Sequence, residues 1–307
     1  MTVRQYWCIS LCFMLFSFAV YIPEKPVTVH TCILSAVLYC VIFSAVLKII
    51  SVPENRIISA VTAAYLLFLM SRQIYLINNY LAIYHRNTWQ SGSILLVLLF
   101  LGMLLPLKER GIGRLSDFIF IFGIVFVVLI FVINGDKFNP VFLYQEGRRA
   151  NIDIGYVTLF DFVLPLGICI SEKKRGKNRY SALFMTFFLL MIVFLTVFAY
   201  GCIKGNMLYS ISPLQIVFQI SSSRLVKNYD GIFTLCVLFM FYGSVILIYS
   251  AYRMLYFVPK KYKDRILFML IPFIALNRYI TVQMWIIVQS AVVLIIAIER
   301  NWNFGKN

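Results

Sequence analysis

The chain is built of long apolar runs separated by short polar breaks. A bilayer core about 30 Å thick needs roughly 20 apolar residues in a helix. By that ruler ten runs qualify: 6–21, 31–50, 56–84, 90–107 and 115–133, then 154–170, 181–203, 231–258, 266–279 and 281–298. The first run gives way to Ile22-Pro23-Glu24-Lys25-Pro26 without a small-residue cleavage site, so it reads as a retained span and not a signal peptide. Only Asn277-Arg278-Tyr279 separates the last two runs. A tight hairpin is predicted there, with nine spans as the alternative. The predicted class is all-α: a polytopic membrane protein of about ten helices, with residues 1–307 as a single transmembrane domain.

Composition supports the same class. Hydrophobic residues make up 62% of the 307, charged residues 13%, and mean hydropathy is +0.87. A soluble domain carries about a quarter charged residues. The net charge of +16 raises the alternative of a nucleic-acid partner. The basic residues, however, sit in short clusters between apolar runs, where they orient a membrane chain. Lipid is the expected surrounding, and nucleic acid is not an expected partner. With the N-terminus inside, eighteen Lys and Arg fall on the cytoplasmic side, chiefly within 108–114, 173–179 and 253–265. Nine fall outside, and Arg72 lies within a span. This bias predicts that both termini are cytoplasmic. Two external segments exceed a turn, 134–153 and 204–230; in the second, Leu214, Val217 and Phe218 share a face, so a surface half-helix and a simple loop both remain open. The seven cysteines have no metal-ligand spacing, and most lie within apolar runs as small hydrophobes.

Two ionisable residues stand inside predicted spans, where lipid exposure is costly. Arg72 lies sixteen residues beyond Arg56, about 24 Å along a helix. Asp161 sits near the centre of the sixth run, four residues before Pro165, which cannot donate the helical hydrogen bond to its carbonyl. Three readings stay open: a structural Arg72–Asp161 pair, ligand or ion contacts, or snorkelling of Arg72 to the interface. Asp117 is expected to pair with Arg114 at the interface, and Asp230 to cap the eighth span. His30 and His85 read as solvated residues at span ends. Gly111-Ile112-Gly113 is too short for a phosphate loop. With no nucleophile motif or paired carboxylates, neither an enzyme nor a cofactor is expected.

In order along the chain, several segments resemble the permease-like B subunits of spore germinant receptors, members of the amino acid–polyamine–organocation transporter superfamily. These are Val3-Arg4-Gln5-Tyr6, the stretch 108–117 around Arg110-Gly111-Ile112-Gly113-Arg114, Phe138-Asn139-Pro140, Ser212-Pro213 through Ser221, Asp230-Gly231-Ile232-Phe233 and Tyr249-Ser250-Ala251-Tyr252. The resemblance implies an inverted-repeat fold, with 1–133 and 154–299 as its five-helix halves. It places the ligand site between broken first and sixth helices, flanked by the third and eighth. Carried onto this chain, Ser17, Ala19 and Tyr21 would offer loosened backbone and a hydroxyl. Phe160 and Asp161 would form the opposite wall, with Arg72 and Tyr75 on the third helix. The family usually carries small residues at the break in its first span and a glycine pair in its sixth; here those stretches read Ser17-Phe18-Ala19-Val20-Tyr21 and, around Asp161, no glycine pair. The implied role is sensing a small-molecule germinant, of amino-acid type, in the spore inner membrane with A- and C-type partner subunits. The alternatives are an ion-coupled amino-acid transporter of the same fold, a polyprenyl-linked glycan polymerase or ligase, and a non-binding assembly subunit.

Overall fold

The computed structural model describes residues 2–21, 28–84, 109–144, 152–171, 177–202, 229–266, 270–277 and 279–304. Among these, all regular structure is helical. The longer helices are α1 (Val3–Val20), α2 (Val29–Ile49), α3 (Arg56–Tyr84) and α4 (Glu109–Asn134). They are followed by α5 (Val163–Ser171), α6 (Lys177–Cys202), α7 (Tyr229–Met254), α8 (Lys260–Ile266), α9 (Leu270–Asn277) and α10 (Val282–Phe304). Three 3₁₀ segments, Gly135–Lys137, Pro140–Leu143 and Ile154–Phe160, lie between α4 and α5.

Among the described residues, six segments are long and apolar enough to cross a membrane: Val29–Ile49, Arg56–Ile77, Gly111–Leu129, Ile154–Ser171, Ala182–Cys202 and Val282–Arg300. A shorter apolar helix covers Val3–Phe18. The chain is a multi-pass membrane protein. The fourth expected span, 90–107, and residues 204–228 of the external segment lie outside the described residues, as does His85. Of the expected ninth span, 266–279, the stretch Leu270–Asn277 is described as helix, while 267–269 and 278 lie outside the described residues. A turn follows it: Tyr279 N donates to the Leu276 carbonyl and Ile280 N to that of Asn277, before α10 begins.

The molecule is apolar outside and partly polar within, as expected when lipid is the solvent. Leu34, Val41 and Ile42 on α2, Phe118, Ile121 and Val132 on α4, and Ile287 and Leu294 on α10 are exposed. Ser10, Ser35, Thr62, Gln73, Thr196, Ser250 and Gln289 are buried. Several serines and threonines return their hydroxyl to the preceding turn of their own helix, as Ser10 does to the Tyr6 carbonyl at 2.9 Å, which meets their hydrogen-bonding need without water.

The core forms around α1. Its start is fixed by a capping box between Thr2 and Gln5, and Tyr6, Ile9, Phe13, Met14, Phe16 and Phe18 are buried on several of its faces. It packs against α4, α5 and α7, while α2 packs against α6, and α3 against α7 and α9. The α1–α7 approach is close because Gly243 has no side chain: a Cβ there would stand 2.6 Å from the Phe13 Cα. Small residues allow helices to approach this closely in membranes. At the N-terminal end of α1, Arg4 Nη2 lies 3.2 Å from Asp117 Oδ1, and Gln5 Nε2 donates to Asp117 Oδ2 at 3.2 Å. The partner of Asp117 is therefore Arg4 and not the expected Arg114, which is exposed; α1 crosses α4 at this level.

A buried charge pair at the break in the sixth span

The sixth span is two short helices joined at Asp161. Asp153 opens the first, its side chain accepting from Gly155 N, and 3₁₀ winding runs from Ile154 to Phe160. Seven residues is long for a 3₁₀ helix and reaches about 14 Å, where such runs are commonly three or four residues. Asp161 and Phe162 form a turn, after which α5 continues for 9 residues, about 14 Å more. Together the halves approach the thickness of a bilayer core, about 30 Å. The first α-helical bond after the turn runs from Leu166 N to the Phe162 carbonyl. Pro165 has no N–H to offer the Asp161 carbonyl, so the break falls where the sequence places a proline four residues downstream.

At this break Asp161 is fully buried and meets Arg72 from α3: Nη1 lies 3.1 Å from Oδ2, with the arginine side chain 12% exposed and the aspartate 0%. The other carboxylate oxygen receives a long bond of 3.5 Å from Trp285 Nε1. The guanidinium lies 4.8 Å from the Trp285 ring centre, within cation–π range. Tyr65 stacks on the far part of this arrangement, 5.4 Å from Trp285, and Phe68 packs on the same ring at 5.2 Å. The Tyr65 hydroxyl and Gln73 Oε1 are buried without hydrogen-bond partners among the described residues. Asn277, at the end of α9, donates to Ser71 Oγ at 2.5 Å. The turn between α9 and α10 thus packs beside the charge pair.

Of the residues expected at a ligand site, Arg72 and Asp161 come together. Tyr75, one turn further along α3, is half-buried, and no hydrogen bond or ring contact joins it to the pair. Phe160 turns away into an aromatic cluster, stacked on Phe43 at 5.3 Å and edge-on to Phe188 at 5.1 Å. It fills the core between α2 and α6. The expected loosening at Ser17 and Ala19 is absent. α1 continues to Val20, and the backbone first becomes extended at Tyr21; residues 3–20 contain neither Gly nor Pro, so nothing interrupts the helical ladder. Ser17 is buried, its hydroxyl without a partner among the described residues.

Tyr21 joins a different polar group, at the start of the sixth span. Its ring lies edge-on to Tyr156 at 5.1 Å, and the Tyr156 hydroxyl is 2.6 Å from Thr196 Oγ1. Asp153 N donates to Ser35 Oγ at 2.8 Å, and the Tyr39 hydroxyl donates to the Asp153 carbonyl at 3.3 Å. Burial raises the Asp153 carboxyl above the ordinary aspartate value, offset in part by its bond from Gly155 N.

Sequence reasoning missed Tyr65 and Trp285. Tyr65 lies seven residues before Arg72, so the two share a helix face, and that spacing was a usable signal. Trp285 carried only the weaker one that a buried indole N–H needs an acceptor. Chemically, the pair presents a carboxylate and a guanidinium side by side, the first fully and the second largely withdrawn from solvent, beside aromatic rings. No protein-family model and no curated protein matches the chain.

Proposed function

We propose that the chain is a solute-sensing membrane subunit on the inverted-repeat transporter plan, with the role implied by its resemblance to germinant-receptor B subunits. It would act in the spore inner membrane with A- and C-type partners, both termini cytoplasmic. The observation that carries the sensing role is the Arg72–Asp161 pair, placed at the break in the sixth span.

The pair favours a zwitterionic solute. Removing one partner of a buried ion pair costs about 3–5 kcal/mol, because the other charge is left alone. A simple cation or anion would part the pair and strand one member. An amino acid brings both charges: its carboxylate takes Arg72 and its ammonium takes Asp161, so each buried charge stays partnered. The Trp285 ring, which touches both residues, moves as the solute enters. A sensor then needs the solute to favour one arrangement over the other, since only differential affinity shifts a population.

An ion-coupled transporter would use the same pair, and uptake separates the two roles. Spores lacking the protein should be dormant and intact, fail to germinate with one small nutrient, and respond normally to stimuli that bypass nutrient receptors. Vesicles containing the purified protein should take up little of that nutrient. Unchanged germination across amino acids, sugars and nucleosides, with robust uptake, would replace sensing by transport; a host that does not sporulate would remove the germination role altogether.

A further inference from the structure

We propose that α10 is a coupling rod: it joins the Arg72–Asp161 pair at one end to loop 50–55 at the other, so that parting the pair loosens the loop. The coupling goes beyond the sensing role and holds whatever parts the pair. Only the side of the membrane on which the loop lies rests on the orientation proposed above, which turns it to the cytoplasm.

α10 is stiff and is held along one row. Residues 282–304 include neither Gly nor Pro, so the usual causes of a kink are absent from its sequence. Trp285, Gln289, Val292 and Ile296 are buried, at spacings of four, three and four that put them on a single face. Glu299 and Arg300 continue that row. Met284, Ile287, Val288, Leu294, Ile295 and Ile298 are exposed. The helix thus lies on the outside of the bundle, against α2, α3 and the 3₁₀ segment Ile154–Phe160. Among the described residues, its side-chain hydrogen bonds to other elements fall at its two ends.

At one end Trp285 touches Asp161 and Arg72. Fifteen residues on, about 22 Å along the helix, the other end grips the connection between α2 and α3. Arg300 Nη1 donates to the Lys48 and Ile49 carbonyls at 2.6 and 2.8 Å, and Asn55 N donates to Glu299 Oε1 at 2.6 Å. The two charges stand in the order that the helix ends favour: a cation on the orphan carbonyls closing α2, a carboxylate at the start of α3. Lys48, Ile49 and Asn55 are exposed, so water can replace these bonds at small net cost once the helix shifts. Asn55 and Arg72 are seventeen residues apart, about 26 Å, so α3 and α10 are pinned to each other at both ends of nearly matching lengths. Between the pins, Val292 and Ile296 offer apolar contact without directional bonds. A stiff helix held this way transmits a tilt at Trp285 to Glu299 and Arg300.

The test uses the full chain in lipid nanodiscs and no solute, so that its outcome is separate from the sensing role. Amide hydrogen exchange within 50–55 is followed by mass spectrometry. Asp161→Asn and Trp285→Phe should each speed that exchange about tenfold, the loss of one hydrogen bond at Asn55 N. Gly243→Ala loosens the α1–α7 contact instead and should leave it unchanged, which separates coupling from general loss of stability. The reverse direction is read with Trp7, Trp89 and Trp302 replaced by Phe. Arg300→Gln should then shift the emission of Trp285. Tyr256→Phe frees the Glu54 carbonyl from α7 without touching α10, and should leave that emission in place. The rod is overturned by unchanged exchange in either Asp161→Asn or Trp285→Phe, or by an equal acceleration in Gly243→Ala. It is equally overturned by an unmoved Trp285 emission in Arg300→Gln, or by the same shift in Tyr256→Phe.

Discussion

The first and sixth spans occupy neighbouring positions in the core, yet one is a continuous helix and the other is broken at its middle. α1 has no Gly or Pro between residues 3 and 20 and starts in a capping box. The sixth span carries Gly155, Asp161 and Pro165, and winds as 3₁₀ helix, turn and α-helix. The continuous helix holds its place by shape, with Phe13 against Gly243. The broken one holds a charge. Polar chemistry in this protein gathers where the backbone is interrupted, and the uninterrupted partner serves as a packed wall.

The largest expected effect comes from parting the charge pair. Arg72→Gln leaves a fully buried carboxylate without its cation, a loss of about 3–5 kcal/mol. Asp161→Asn should cost less, because Arg72 keeps the Trp285 face and some exposure. The double variant should regain most of the stability without regaining the solute response. Thermal unfolding of the four proteins in detergent measures this; equal losses in both single variants, or an additive double loss, would remove the pair as a unit.

Next in size is the wall. Gly243→Ala sets a methyl group against the Phe13 backbone, which cannot rotate away, and should cost about 1–3 kcal/mol. Gly167→Ala meets the Ile50 side chain at 2.9 Å and should cost less, since a side chain can yield. The reverse order would mean that α1 tolerates displacement more readily than the sixth span does.

The smallest effect on stability, and the sharpest on the comparison, belongs to Pro165→Ala. Restoring the N–H lets the Asp161 carbonyl take an α-helical bond, which should leave stability within about 1 kcal/mol of the parent while reducing the solute response by closing the break. Full response would show that the break does not depend on the proline.

Much of this division could be read from the chain. Opposite charges in two apolar runs, Arg72 and Asp161, had few affordable states other than facing each other, and Pro165 marked the break. Family resemblance implied a second break near Ser17 that the residues themselves gave no cause for, and local chemistry prevailed. The 3₁₀ winding of Ile154–Phe160 left no trace in a run of mostly apolar residues. Trp285 reaches the pair only through the packing of α10 against α3, a relation between distant segments that periodicity cannot express. The pairing of Asp117 with Arg4 in place of Arg114 was hidden for the same reason: helix spacing favours the near neighbour, and the crossing of α1 with α4 selects the distant one.

Trp285 gives the most direct test that the charge pair is where a solute acts, because its ring touches both members. With Trp7, Trp89 and Trp302 replaced by Phe, the fluorescence of the remaining indole can be followed in purified protein titrated with a panel of amino acids. A saturable change with one zwitterionic solute is expected, and its loss in Asp161→Asn. A solute that drives the cellular response but leaves the Trp285 signal unmoved, or moves it equally in Asp161→Asn, would contradict a sensing site at Arg72 and Asp161.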